Sequence, residues 1–99
     1  SFILLLLKQF RFKLRKNIQG VFVMTLKETF GERVRTLRMK KNIKQSDLGK
    51  IIDLSDNAIS DIERGYRLTS MEKLEALAAY FDVSVDYLMG RTDNPKLYK

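Results

Sequence analysis

The sequence predicts an all-α fold, a compact bundle of five short helices carried by residues 24–90, behind an N-terminal extension of different composition. Three observations carry that prediction. From Thr25 onward apolar residues recur at spacings of three and four, the period of an amphipathic helix. Hydroxyl residues and glycines stand where helices start and stop. No run of useful length alternates with period two, except FVMTL at 22–26. A chain of 99 residues holds one such domain.

Each helix has its own signals. Thr25 with Glu28, and Thr29 with Glu32, match the capping box that satisfies unpaired N–H groups at a helix start. Phe30, Val34 and Leu37 continue one apolar stripe, and Asn42 is a plausible stop. A second helix at about 45–52 buries Leu48, Ile51 and Ile52. Ser55 caps a third, whose apolar face is Ala58, Ile59 and Ile62, and Gly65 ends it in a left-handed conformation. The fourth starts at Thr69 or Ser70, with Glu72 able to complete a box from Thr69, and runs through Leu74, Leu77, Ala78 and Phe81. Ser84 caps a short fifth, VDYLM, closed by Gly90, and residues 91–99 read as a polar C-terminal tail. The predicted core is Leu37, Leu48, Ile59, Ile62, Leu74, Leu77 and Phe81.

Composition excludes several chemistries. There is no Cys and no His, which removes disulfides, the usual zinc ligands and the commonest general base. No phosphate-cradling glycine loop or G-x-S-x-G is present. Pairs such as Asp82 and Asp86 suit caps and solvated faces better than acid–base work. The chain therefore reads as a non-enzyme with no cofactor and no metal, at home in a reducing cytoplasm.

Net charge is +7, but residues 1–23 carry five basic residues and no acid. The remainder holds 14 basic and 12 acidic residues, which leaves +2, so nucleic-acid binding cannot be argued from total charge. The apolar run Phe2–Leu7 is six residues, against the roughly 20 of a membrane-spanning helix. Its basic residues follow the apolar run, which is the reverse of a secretory signal. Two readings of residues 1–23 stand: an amphipathic basic element that touches a membrane surface or an acidic partner, or, more simply, sequence upstream of a natural start at Met24 and outside the domain.

The second and third helices carry the functional signal. Two helices joined by a tight turn constrain side-chain size at fixed offsets. With Gln45 as the first position, Gly49 fills the fifth, where a small residue lets the helices approach. Leu48, Leu54, Ile59 and Ile62 fill the fourth, tenth, fifteenth and eighteenth, all apolar. On these residues, and on Leu37-Arg38, Lys44-Gln45, Ser55, Ile62-Glu63-Arg64-Gly65 and the closing VSVDYLMG, the stretch 33–90 resembles the phage repressor and Cro-like (Xre-type) helix-turn-helix domains.

The resemblance implies a lambda-repressor-like DNA-binding domain whose third helix enters the major groove. It implies base contacts from Asp56, Asn57, Ser60 and Asp61, a phosphate contact from Gln45, and a structural ion pair between Arg38 and Glu63. Lys44, Arg64, Arg67 and Lys73 flank the reading helix and are the further candidates for phosphate contacts. Three residues depart from the family outline: Asp53 stands at the turn position usually filled by Gly, Lys44 where a capping hydroxyl is usual, and Thr69 where Pro is frequent.

Two carboxylates on a reading helix are unusual, since phosphate repels them. A carboxylate does accept from the amine of cytosine or adenine, and Asn57 can bond adenine twice, so such a helix favours specificity over general affinity. The expected function is a sequence-specific transcriptional regulator, in the first instance a repressor, bound to double-stranded DNA as a homodimer, with Tyr87, Leu88 and Met89 as the candidate interface. The competing expectation is an antitoxin-like or other protein-interaction module with a regulatory protein partner and weak DNA binding, which the acidic third helix motivates.

Overall fold

The computed structural model describes residues 25–96 and, before them, the backbone of two short strands, β1 (Arg15–Lys16) and β2 (Phe22–Val23). These pair antiparallel, with Arg15 opposite Val23 and Lys16 opposite Phe22. The expectations placed on the rest of 1–23 lie outside the described residues. Of FVMTL, Phe22 and Val23 take strand conformation, and Thr25 already caps a helix.

Five helices follow: α1 (Leu26–Lys40), α2 (Gln45–Ile52), α3 (Asp56–Glu63), α4 (Met71–Phe81) and α5 (Val85–Leu88). Of the two possible boxes at the start of α1, the chain uses the first: the Thr25 N–H donates to Glu28 Oε1 at 2.9 Å and the Glu28 N–H to Thr25 Oγ1 at 3.2 Å. Ser55, Ser70 and Ser84 each accept from the N–H three residues on. The fourth helix is therefore capped by Ser70 rather than boxed from Thr69. Asn42, Asp53 and Asp82 take positive φ just past the ends of α1, α2 and α4, the left-handed region that Asn and Asp tolerate better than most residues.

The core is made of Phe30, Val34, Leu48, Ile52, Ile59, Ile62, Leu74, Leu77, Phe81, Val83 and Leu88. The seven side chains that are fully enclosed, Phe30, Val34, Leu48, Ile59, Ile62, Leu77 and Leu88, come from all five helices, so no helix is stable by itself. Two expectations change. Leu37 packs against the core only partly buried. Ile51 is 49% exposed, because α2 is held between α3 and α4 through Leu48 and Ile52 and leaves its neighbour on the water side.

Two glycines set how closely helices approach. A Cβ on Gly49 would lie 2.4 Å from the carbonyl oxygen of Leu54, which fixes the tight turn between α2 and α3. A Cβ on Gly31 would lie 2.1 Å from that of Ile62, so α1 meets the end of α3 backbone to backbone. Residues 92–95 also join the domain rather than hanging from it. Arg33 Nη1 donates to the carbonyls of Tyr87 and Thr92, Nη2 pairs with Asp93 at 2.9 Å, and the Ser84 N–H donates to the Pro95 carbonyl.

Candidate nucleic-acid interface

Helix α3 turns Ala58, Ile59 and Ile62 into the core, so helical spacing puts the remaining positions on the opposite side. Asn57, Ser60, Asp61 and Arg64 follow one another at intervals of three, one and three on that outer face, with Asp56 at its start. Asp56, Asn57 and Arg64 are exposed, and Ser60 and Asp61 half-buried. The structure thus brings all four expected base-contact residues onto one accessible strip. Asp56 also lies in the first turn, where a carboxylate complements the helix dipole.

A single buried network holds that strip in place. Arg38, on α1, donates through Nε to Glu63 Oε2 at 2.6 Å and through Nη2 to Oε1 at 3.0 Å, a two-pronged pair at the end of α3. Its Nη1 reaches the Ile43 carbonyl just before α2. One Gln45 amide proton goes to Glu63 Oε1 at 3.0 Å, leaving the second for another acceptor. The expected ion pair is therefore present and extends to Gln45, tying α1, α2 and α3 together.

The basic residues divide into two groups. Lys44, Arg64 and Arg67 are exposed around α3. Lys73 is engaged: its Nζ donates to the Ile52 carbonyl at 2.9 Å and lies 3.8 Å from Asp53 Oδ2. That geometry gives Lys73 the work of closing the α2–α3 turn, where the expectation had it meeting a phosphate. Asp53 itself stands at a left-handed position that Asp tolerates better than most residues.

The expected dimer patch fares less well. Leu88 is fully enclosed, Tyr87 is half-buried under the Arg33 guanidinium at 4.1 Å, and Met89 is half-buried. Leu88 is core, because α5 is only one turn long and must turn its one large aliphatic residue inward to stay attached. Exposed large apolar residues lie elsewhere, at Leu26, Met39, Ile51, Tyr66 and Met71.

Beside the network, burial pushes the Glu32 carboxyl above its ordinary value of 4.5, and Glu63 pushes it the same way, while Arg35 and the Thr36 hydroxyl pull it back. An acid that holds its proton more tightly when folded makes stability fall as pH rises through its titration, and keeps it lower above. Glu32→Gln is therefore expected to gain on the unchanged protein at neutral pH and to lose that gain below about pH 4, where both states are protonated. Urea midpoints at the two pH values check this; an equal difference at both would refute it.

A small α2, a tight turn and an α3 whose outer face carries hydrogen-bonding side chains amid exposed cations define a helix-turn-helix domain. The profile of the helix-turn-helix family matches residues 34–88, and the chain belongs to that family, in its Xre (Cro/C1) branch of DNA-binding transcriptional regulators. It is similar to repressor protein C2 of Salmonella phage P22, 40% identical over 62 residues, which are 63% of this chain and 29% of that protein. It is 38% identical over 64 residues to control protein C.BamHI of Bacillus amyloliquefaciens, covering 64% of this chain and 79% of that one. The chain spans about half of the Bacillus subtilis regulators YobD and ImmR, 57% and 54% of their lengths.

Among solved structures, the P22 c2 repressor in complex with a synthetic operator superposes with a TM-score of 0.59 at 42% identity, over 61% of this chain and 91% of that one. The restriction-modification controller C.AhdI of Aeromonas hydrophila gives 0.55 at 32%, with the same coverage. Among the described residues no helix is long and apolar enough to cross a membrane.

Proposed function

We propose that the chain is a transcriptional regulator, in the first instance a repressor, that binds double-stranded DNA with α3 in the major groove. The observation that carries this reading is the strip Asp56, Asn57, Ser60 and Asp61, accessible along one face and held rigid from behind by Arg38, Gln45 and Glu63. Asn57 and the two carboxylates meet base amines, while Lys44, Arg64, Arg67 and the second amide proton of Gln45 meet phosphates on either side. One such domain covers few base pairs, so two copies are expected on half-sites about 34 Å apart. The operator-bound phage repressor among its structural neighbours supports this reading.

A second reading follows from the same acidic face: a protein-interaction module in which Asp56 and Asp61 meet a basic partner. Duplex titrations at several salt concentrations decide between them. Under the regulator reading Arg67→Ala weakens binding to every sequence and flattens the plot of log K against log salt by about 0.9, the share of one phosphate. An unchanged protein that fails to bind any duplex at about 50 mM salt would favour the protein partner instead.

A further inference from the structure

Between α1 and the far end of α3 lies a polar cleft of about 260 Å³, lined by Arg35, Arg38, Gln45, Ser60, Glu63 and Arg64. We propose that this cleft is a seat for one backbone phosphate, clamped between Arg35 of α1 and Arg64 at the end of α3. The inference rests on the DNA-binding reading above and adds a residue, Arg35, that neither the reading helix nor its flanks contain.

Charge and donor chemistry select the ligand. Glu63 is matched by Arg38 and Gln45, so it offers the cleft little free acceptor. Arg35 and Arg64 are exposed, and among the described residues neither guanidinium makes a hydrogen bond or a salt bridge. Two guanidiniums with no hydrogen bond or salt bridge, a spare Gln45 amide proton and the Ser60 hydroxyl therefore line the same space, which is a set of donors. A base edge presents donors and acceptors together; a phosphodiester presents acceptors only, and a guanidinium meets it through two parallel N–H groups. At about 30 Å³ per water, the volume admits the phosphate with several bound waters. Glu32, close enough to Arg35 to feel its charge, tempers the field without closing the seat.

The test uses the whole chain, with a duplex enriched by its own selection and one of random sequence. Binding is measured across salt for the unchanged protein, Arg35→Gln, Arg64→Gln and, as a control on the same helix, Lys40→Gln. Both arginine variants are expected to lose about as much affinity for either duplex and to flatten the salt slope by about 0.9 each, while Lys40→Gln moves it far less. A neutral methylphosphonate linkage is then stepped along each strand. One position is expected to weaken the unchanged protein without further weakening Arg35→Gln or Arg64→Gln. Equal salt slopes for Arg35→Gln and the unchanged protein, equal losses for Arg35→Gln and Lys40→Gln, or additive losses at every linkage would overturn the clamp while leaving DNA binding intact. If the unchanged protein binds no duplex, both readings fall.

Discussion

Replacing Arg38 with alanine is expected to remove about 3 kcal/mol of stability, the low end of the range for breaking a buried ion pair from one side. The Glu63 side chain is 4% exposed and that of Arg38 14%. Without the guanidinium, the Glu63 carboxylate keeps only the Gln45 amide and loses its charge partner. The Ile43 carbonyl loses its donor at the same time. For a domain of this size the loss corresponds to a fall in melting temperature of roughly 15 °C. A paired change, Arg38→Met with Glu63→Leu, is expected to lose much less than the sum of the two singles, because no charge is left stranded. Chemical denaturation with equal slopes across the set checks the result. A loss below about 1 kcal/mol for Arg38→Ala would place the pair among ordinary surface bridges.

Much of this network was legible before any coordinates. The capping serines at 55 and 84 and the inward face of α3 follow from residue type at a fixed offset, while the Arg38–Glu63 pair and the turn position of Asp53 follow from the family resemblance, and the structure shows each of them. The caps and the apolar face are local chemistry, written in a few neighbouring residues. What escaped was long-range. Arg33 reads as one more cation on the polar side of α1, yet it gathers residues more than fifty positions away, Tyr87, Thr92 and Asp93. Lys73 reads as a candidate for phosphate and instead closes the turn after α2.

Gly31 was a different kind of miss, because a signal existed. A glycine inside an amphipathic helix weakens it by about 1 kcal/mol relative to alanine and so invites a packing reason. That reason is the Ile62 carbonyl against α1. Leu88 was misplaced for the opposite cause: a periodic apolar residue near a terminus looks available, and only the full packing shows that it is the one side chain α5 encloses fully, with Val85 and Tyr87 packed partly buried beside it.

The acidic reading face produces the other large effect. If Asp56, Asn57 and Asp61 face base amines, discrimination should be strong and general affinity modest, since the carboxylates repel the backbone while rewarding one base over another. Specific binding typically exceeds non-specific by 10³ or more, and each well-paired side chain contributes about 1–3 kcal/mol of that. Asp61→Ala is therefore expected to relax preference at one position of each half-site while improving binding to random duplex, an opposition that alanine at a phosphate-contacting arginine cannot produce.

The most direct measurement is selection from random duplexes with the unchanged chain and with Asp61→Ala, read by sequencing. A partly palindromic motif with cytosine or adenine at fixed positions in each half is expected, with loss of preference at one of them in the variant. Failure to enrich any motif, from a protein shown to be folded, would contradict it.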